Sequence, residues 1–386
     1  MSMYLTNGTI LHPDHGIVDG HALQVADGRI AGIVRAGDVP AGAITVDLGG
    51  NLLAPGFVDL QCNGGGGVLF NDDPSVAALR AISAAHSRFG TTAFLPTLIS
   101  DDLPTMQRAL LAVNEAMAAG VPGIVGIHLE GPFLNTERKG IHDSAKIRPL
   151  TAADVDVILA DRPATTLVTL APELAPPDQL GRLRDAAVLI CAGHTNATFE
   201  QTMQAFASGV SGVTHLFNAM SPLRAREPGA VGAALLSPEC WCCIIVDGEH
   251  VHPAALQLAL RVKGSSERFI LVTDAMPTVG QAVKEFVLNG ETITAHGGVC
   301  QNSGGTLAGS DLDMAQAVAK TVALLGVDRA EAIGMASANP ARYLGLDDRF
   351  GTLAPGLAAN LVELAPDGAV RRTWIDGTLV WDAAAG

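Results

Sequence analysis

The sequence predicts an α/β fold: a (β/α)8 TIM-type barrel with a small β-sandwich domain formed by both termini. Eight short apolar segments alternate with helix-like segments through the middle of the chain, a pattern typical of a parallel sheet covered by helices on both faces. Both ends of the chain carry short alternating segments separated by turn residues. The chain has 386 residues, and chains beyond about 250–300 residues usually add a second unit to one core.

The two ends of the chain are predicted to form one composite domain. Residues 1–54 contain the alternating segments YLTNGTIL, ALQVADGRIAGIV and ITVDLGG, with a hairpin turn at Asp27-Gly28. Residues 350–386 repeat this pattern in ANLVELAPDGAVRRTWIDGTLVW. We therefore expect the first and second parts of a β-sandwich at 1–54 and 350–386, with the barrel at 55–349 between them.

The middle of the chain supplies the eight barrel strands. In order they are LAPGFVDL, TTAFLPTLI, GIVGIHLE, TTLVTLAPE, AVLICAGH, GVTHLF, CCIIVDG and RFILVTDA. Helices are predicted between most of them; for example, apolar residues from Leu103 to Met117 follow helical spacing, and Gly120 is placed to end that helix. Two further helical segments follow the eighth strand. Residues 280–300 read as an insertion with a hairpin at Asn289-Gly290.

An open, doubly wound sheet is the alternative to a barrel. It is disfavoured because no G-x-G-x-x-G motif follows the first strand. The glycines at 64–67 do follow that strand, but no helix begins where a phosphate-binding loop would need one. The barrel stays the preferred prediction at this length.

Composition limits the classes of function. The formal net charge is −15, which disfavours a nucleic-acid-binding protein because such proteins carry a basic face. Residues 1–10 lack the basic and apolar regions of a signal peptide, and no run of about 18 apolar residues could cross a membrane. We therefore expect a soluble cytoplasmic protein without a membrane partner. The six cysteines, which include the C-x-x-C pair Cys240 and Cys243, are predicted to be core thiols.

Polar residues stand where a barrel enzyme needs them, at the carboxyl ends of the strands. Glu130 ends the third strand, His194 the fifth and Asp274 the eighth, while His215 lies in the sixth. One carboxylate and two imidazoles are a suitable ligand set for a catalytic metal with an open position for water. The aspartate then suits a general base beside that water. His128, on the third strand, has no such support and is interpreted as structural.

Twelve stretches of the chain resemble the N-acetylglucosamine-6-phosphate deacetylases of the amidohydrolase superfamily. They occur in the family's order between residues 55 and about 363, and HLEGP, GHTNAT, THLFNAM and VTDA are together very specific. The full set is PGFVDLQCNGGGG, AFLPTLI, HLEGPFLN, KGIHD, TLAPE, AGHTNAT, THLFNAM, REPGAVGA, VDGEHVHP, LVTDAM, GGTLAGS and GTLAPGLAANLVEL.

The resemblance implies a metal-dependent hydrolysis. Glu130, His194 and His215 would hold one divalent metal ion per subunit, with zinc expected and iron as the alternative. Asp274 would take a proton from the metal-bound water and later deliver it to the leaving amine. His142 would contact the acetyl carbonyl and help to stabilise the oxyanion.

The resemblance also implies a sugar-phosphate substrate and a homodimer. Asn218 and Ala219 would contact the phosphate or the sugar, partly through backbone N–H groups. Arg226 and His250 would bind the phosphate, with a contact across a dimer interface as one arrangement. The loop formed by Leu307, Ala308 and Gly309 would line the sugar pocket.

One position departs from the wider superfamily. Many members carry an H-x-H motif after the first strand and hold two metals, whereas this chain has Gln61-Cys62-Asn63. Amide side chains are weak ligands beside imidazole. We therefore predict that a second metal site is empty or weak, and the reaction is unaffected.

Other functions stay open at this point. The substrate could be N-acetylgalactosamine 6-phosphate or another N-acyl compound, which kinetics across epimers would decide. A non-enzymatic scaffold is disfavoured because such proteins commonly lose metal ligands, whereas the three ligands and Asp274 are all present here.

Overall fold

The central feature of the structure, a computed structural model, is an eight-stranded parallel sheet that curves into a nearly closed barrel. The structure describes residues 2–385, so Met1 and Gly386, the outer ends of the predicted sandwich parts, lie outside the described residues. The strands follow the eight predicted segments, and the predicted fold class is confirmed. From first to eighth they are Phe57–Cys62, Thr91–Ile99, Ile127–Glu130, Thr166–Leu170, Leu189–Ala192, Gly212–Val213, Trp241–Ile244 and Phe269–Leu271.

Helices cover the outside of the barrel. The predicted helix after the second strand runs over Leu103–Ala118; the Asp102 side chain accepts a hydrogen bond from Thr105 N at 2.9 Å at its start. Gly120, just after its end, has a φ of 65°, the left-handed conformation that favours glycine. The other α-helices are Val76–Ser87, Ala152–Asp161, Pro177–Asp185, Phe199–Ala207, Gly229–Leu236, Pro253–Lys263, Met314–Lys320, Arg329–Ala336 and Ala338–Leu344.

The helical region after the eighth strand is less regular than its sequence predicts. Its last segment is broken at Ser337, which has φ −137° and ψ −70°. Pro340 explains the break, because proline offers no N–H to the carbonyl four residues earlier. The described residues also form short helices of other types. These are 3-10 turns at Ala36–Asp38, Thr136–Arg138 and Pro172–Leu174, and a π-helical segment at Thr321–Leu325.

The terminal segments form two further sheets. A four-stranded sheet has the spatial order Arg29–Arg35, His21–Ala26, Ser2–Thr6 and Ile44–Asp47. A six-stranded sheet has the order Thr378–Asp382, Val370–Ile375, Leu361–Leu364, Leu52–Pro55, Thr9–His12 and Gly16–Val18. The second sheet therefore combines strands from both ends of the chain.

The two terminal sheets share a hydrophobic core, as expected for a sandwich. Leu5 and Leu23 of the four-stranded sheet pack in one buried cluster with Ile10 and Trp374 of the six-stranded sheet. The hairpin turn at Asp27 also forms as predicted, with a φ of 49°. Strand Leu52–Pro55 crosses the predicted limit between residues 54 and 55, and the domain limits 1–54, 55–349 and 350–386 stay predictions.

The insertion predicted at residues 280–300 belongs to a small antiparallel sheet beside the barrel that continues to residue 310. The strands of this sheet are Glu285–Leu288, Glu291–His296, Val299–Asn302 and Leu307–Ser310. The predicted turn is present, since Asn289 and Gly290 have φ of 52° and 79°. Apolar residues of this sheet pack in one cluster with Leu69, Ile99 and Met276 at the carboxyl ends of the barrel strands. A two-stranded piece, Gly64–Gly65 with Val68–Leu69, follows the first strand.

Two further predictions concern the whole chain. All six cysteines are buried and free, as predicted for core thiols. In the part of the chain that the structure describes, 2–385, no helix combines the length and the apolarity needed to cross a bilayer.

Candidate active site

Three predicted ligands meet at the carboxyl ends of the barrel strands. Glu130 is the last residue of the third strand, and His194 lies two residues beyond the fifth. His215 lies two residues beyond the sixth strand rather than within it. Glu130 Oε1 is 3.2 Å from His194 Nε2 and 3.0 Å from His215 Nε2, and the two ring nitrogens are 3.1 Å apart. The three side chains are buried and form a candidate metal site.

The chemistry of these donors fits a divalent cation. His194 Nδ1 lies 2.8 Å from the carbonyl oxygen of Arg138, so the Nδ1–H donates there and Nε2 presents its lone pair to Glu130. A lone pair that faces a carboxylate at 3.2 Å requires a proton or a cation between them. Two imidazole nitrogens and one carboxylate are a ligand set that zinc and iron accept, and fixing His194 through its other nitrogen is the usual support for such a ligand.

The electrostatics of Glu130 agree with this arrangement. Burial alone would raise the pKa of this carboxyl group, but its close contacts with the imidazoles of His194 and His215 hold the pKa well below its ordinary value. The group is therefore an anion in the folded protein, as a metal ligand must be.

Asp274 lies beside the three ligands. Its Oδ1 accepts hydrogen bonds from Asn63 Nδ2 at 2.7 Å and from Gln61 Nε2 at 3.1 Å. Burial and the negative charge of Glu130 raise the pKa of Asp274 to about 6. A carboxylate with a pKa near neutrality can both accept and return a proton, which is the requirement for a general base that later acts as an acid.

The side chains of the first-strand motif point into the same site. Gln61 Nε2 also donates to both carboxylate oxygens of Glu130, at 3.0 and 3.1 Å. Amide N–H groups, which cannot bind a cation, therefore face the carboxylates where many superfamily members place two histidines. The amide oxygens of Gln61 and Asn63 are buried and have no hydrogen-bond partner within the described residues, and a single strong metal site stays a prediction.

His142 is held in a defined orientation above Glu130. The backbone N–H of Ser100 donates to His142 Nδ1 at 3.3 Å, and Nδ1 lies 2.7 Å from the Ser100 hydroxyl oxygen. Burial and the positive charge of His194 lower the pKa of His142 to about 3, so the ring is neutral and Nε2 carries its proton. This Nε2 lies 4.0 Å from Glu130 Oε2. The ring can donate one hydrogen bond to a substrate oxygen.

A cavity of about 360 Å³ opens above these groups. Its volume suits a small molecule of the size of a monosaccharide phosphate. The predicted positions that line it, besides the metal ligands and Asp274, are His142, Asn218, Ala219, His250, Leu307 and Gly309. Residues of the lining that the sequence did not indicate include Ile99, Glu137, Arg138, Ile245, Met276 and Thr306.

Two predicted substrate residues are not among the residues that line the cavity. Ala308 is fully buried between its neighbours, because alternate residues of a strand face opposite sides of the sheet. Arg226 is exposed on the loop before helix Gly229–Leu236. A third difference concerns Asn218, whose backbone N–H already donates to His215 O at 2.9 Å. Of the two expected backbone contacts, the N–H of Ala219 is the better placed.

His250 is oriented by a buried carboxylate. His250 Nδ1 lies 2.5 Å from Asp247 Oδ2, and Asp247 Oδ1 also accepts the backbone N–H of His250 at 2.9 Å. The Nδ1–H therefore donates to Asp247, and Nε2 is the ring nitrogen left for a ligand in the cavity.

His128 has the structural role predicted for it, because its two ring nitrogens lie 3.1 and 2.7 Å from the hydroxyls of Thr97 and Thr169.

A second buried group of ligand-type side chains lies behind the site. Asp59, Cys62 and His86 bring one donor atom each within reach of a shared ion. His86 Nε2 lies 2.8 Å from the carbonyl oxygen of Gly64, so its proton is used in that hydrogen bond. Burial raises the pKa of the Cys62 thiol well above its ordinary value. A thiol and an N–H donor do not make metal ligands, and this group is structural.

A barrel with a buried carboxylate, two imidazoles and an aspartate at its carboxyl end defines a class of hydrolases, and comparison with known proteins names that class. The model of the amidohydrolase family matches residues 52–380, and that of the NagA composite domain matches residues 3–53. The chain belongs to the amidohydrolase family.

Full-length relatives place the chain more narrowly within that family, among the deacetylases of N-acetylated amino-sugar 6-phosphates. An N-acetylgalactosamine-6-phosphate deacetylase from Shewanella sp. (strain ANA-3) is 40% identical, over 99% of this chain and 97% of the relative. The crystal structure of N-acetylglucosamine-6-phosphate deacetylase from Pasteurella multocida superimposes with a TM-score of 0.94 at 34% identity, covering 98% of this chain and 99% of that one. A mutant of the Mycobacterium smegmatis enzyme in complex with N-acetyl-D-glucosamine-6-phosphate gives a TM-score of 0.91 at 33% identity, with coverages of 98% and 99%.

Proposed function

We propose that this protein hydrolyses the acetamide of N-acetyl-D-glucosamine 6-phosphate, giving D-glucosamine 6-phosphate and acetate in amino-sugar catabolism. The observation that carries this proposal is the convergence of Glu130, His194, His215 and Asp274 below one cavity of about 360 Å³. It is a hydrolase that acts on a linear amide C–N bond. A relative from Haemophilus influenzae and the Pasteurella multocida structure carry this reaction in their names.

The trio Glu130, His194 and His215 is proposed to hold one divalent cation per subunit, with zinc expected and iron as the alternative. When bound, such a cation polarises an acyl oxygen and lowers the pKa of water from 15.7 to about 7. His194 is fixed for this task by the carbonyl of Arg138, and Gln61 restrains the carboxylate of Glu130 through two hydrogen bonds.

The chain's own groups account for the proton transfers. Asp274 accepts a proton from the attacking water as a C–O bond forms at the acetyl carbon. It then delivers this proton to the nitrogen as the C–N bond breaks, so that the amine leaves neutral. The His142 Nε2–H donates to the acetyl oxygen, where negative charge develops during the attack.

The remaining lining residues are proposed to recognise the sugar phosphate. Leu307 and Gly309 lie beside the sugar ring, while the Ala219 N–H, the Asn218 side chain and His250 contact the polar end of the substrate. Arg226 is exposed outside the cavity of its own chain. This position supports a contact with the substrate of a second subunit, and hence a homodimer. The cytoplasmic location of this metabolic enzyme is likewise a proposal.

N-acetylgalactosamine 6-phosphate is the second candidate substrate. The specific observation that favours it is the 40% identity to a Shewanella deacetylase named for that compound. The two sugars differ only in the configuration at one hydroxyl, and both present the same acetamide and phosphate. A different N-acyl substrate without phosphate would leave His250 and Arg226 without a role.

A substrate panel tests the proposal. Acetate release is measured with both N-acetylhexosamine 6-phosphates, with unphosphorylated N-acetylglucosamine and with an N-acetyl amino acid. The proposal requires that one of the phosphorylated sugars has the highest kcat/KM and that the glucosamine derivative is cleaved. Preference for the galactosamine derivative would establish the second candidate, and preference for an unphosphorylated compound would contradict both.

A further inference from the structure

The seam between the first and the eighth strand of the barrel lies directly behind the proposed general base. Neighbouring barrel strands elsewhere are joined by backbone ladders, but among residues 2–385 no ladder joins Phe57–Cys62 to Phe269–Leu271. They are connected beyond the end of the eighth strand by a bridge between Cys62 and Ala275. Backbone hydrogen bonds run there from Asp274 N–H to Gln61 O at 2.9 Å and from the N–H groups of Asn63 and Gly64 to Ala275 O at 2.9 and 3.0 Å. These bonds hold the backbone on either side of Asp274, and side-chain contacts across the seam add to them.

The carboxylate of Asp59 supplies those contacts. It is 0% exposed, and its Oδ1 accepts the backbone N–H groups of Gln61 at 3.2 Å and Thr273 at 3.3 Å. Its Oδ2 accepts the hydroxyl of Thr273 at 2.5 Å. One buried side chain on the first strand thus holds Thr273, which lies two residues beyond the eighth strand and directly before Asp274. The same side chain also holds Gln61 on its own strand.

The two residues that Asp59 holds determine the geometry of the site. Gln61 donates to both Glu130 and Asp274. Asp274 itself has a φ of 54°, in the left-handed region that few residues other than glycine adopt. Such a conformation persists only where the surrounding structure enforces it. The hydroxyl oxygen of Thr273 also accepts the backbone N–H of Ala275 at 3.2 Å. Thr273 therefore contacts the residue that follows Asp274 as well as preceding Asp274 in the chain.

We propose that Asp59 is a positioning residue for the hydrolysis, which acts through Thr273 and Gln61 to hold Asp274 at its working distance from the metal ligands. The inference rests on the proposed function. Asp59 does not touch the substrate cavity, and its effect is expected in turnover rather than in substrate affinity. Misplacing a reacting group by about 1 Å can reduce a rate about 10²-fold.

The test uses variants of Thr273, because replacing a fully buried carboxylate can prevent folding. Thr273→Val removes the hydroxyl that binds Asp59, together with its contacts to Gln61 O and the Ala275 N–H, with little change in shape, and Thr273→Ser restores all three. The matched control is Thr91→Val, since the Thr91 hydroxyl is also buried but has no hydrogen-bond partner within the described residues. For each protein kcat, KM and bound cation per chain are measured on the substrate that the parent protein cleaves best.

The inference requires a fall in kcat of about 10- to 100-fold for Thr273→Val. KM and the bound cation should be nearly unchanged, Thr273→Ser should recover most of the turnover, and Thr91→Val should retain it. A Thr273→Val protein with parental kcat would overturn the inference, as would a loss of kcat that only follows loss of the cation. A parent protein without deacetylase activity would instead overturn the proposed function, and this inference with it.

Discussion

Asn63 Nδ2 donates a hydrogen bond of 2.7 Å to Oδ1 of Asp274 and links the end of the first barrel strand to the proposed general base, three residues beyond the eighth strand. The same carboxylate oxygen accepts Gln61 Nε2 at 3.1 Å. Two amide donors therefore fix one oxygen of Asp274, which leaves its other oxygen to act on a substrate or a water.

Replacing the base should remove turnover while leaving binding intact. Asp274→Asn keeps the shape of the side chain but cannot accept a proton, and we expect kcat to fall by about 10²–10⁴-fold. Bound cation and substrate affinity, measured by elemental analysis and calorimetry, should be close to those of the parent. Asp376→Asn is the matched control, because Asp376 also has a positive φ, 49°, but lies in the turn between strands Val370–Ile375 and Thr378–Asp382. Near-normal turnover of Asp274→Asn would exclude its role.

The amide pair on the first strand should limit the protein to one strongly bound cation. Elemental analysis of the parent is expected to give about one divalent ion per chain, and His194→Ala should reduce this value towards zero. Exchanging Gln61 and Asn63 for histidine replaces two N–H donors with two metal ligands, so the double variant should bind a second ion. Two tightly held ions in the parent protein would refute this reading of Gln61 and Asn63.

Arg226 should bind the substrate's phosphate in the active site of a neighbouring subunit. Arg226→Ala is expected to raise KM for the phosphorylated substrate and to leave the unphosphorylated analogue unchanged, since a guanidinium binds phosphate through two charged hydrogen bonds. The control is Arg224→Ala, because Arg224 is a second exposed arginine on the same loop.

Mixing the Arg226→Ala and Asp274→Asn proteins should restore activity, because one site of the mixed dimer has both residues. Equal losses on both substrates, or no restoration, would contradict this arrangement.

The pH dependence should report the ionisation of Asp274. The base must be deprotonated, so activity is present above its pKa and is lost as the pH falls through it. Burial and the charge of Glu130 raise this pKa to about 6, and a nearby cation favours the charged carboxylate and lowers it again. The acidic limb of kcat/KM should therefore lie at or below about pH 6. Measuring bound cation at each pH separates protonation from metal loss, and a limb above about pH 7 would exclude Asp274 as its source.

The sequence predicts the barrel, and it predicts that the proposed metal ligands converge, because both depend on where the strands end. Side chains at the carboxyl ends of parallel strands converge independently of the conformation of the loops. Glu130, His194 and Asp274 could therefore be placed from the strand pattern. The family motifs added His142, but its orientation by Ser100 could not be read from either segment. That contact joins residues 42 positions apart in the chain.

The details that the sequence could not supply concern loops and individual faces. Ala308 is buried because a short strand, rather than an open loop, contains it. Arg226 is exposed on the loop before helix Gly229–Leu236, and its contact with phosphate stays a prediction. The seam contact between Asp59 and Thr273 joins residues 214 positions apart, and only the closed barrel brings them together.

The most direct test of the central claim is acetate release from N-acetyl-D-glucosamine 6-phosphate by protein stripped of cation with a chelator and then titrated with zinc. If Glu130, His194 and His215 hold one catalytic ion, activity should vanish on stripping and return in proportion to added zinc, reaching its maximum near one equivalent per chain. Full turnover by the stripped protein, or no turnover at any occupancy of the site, would contradict the account.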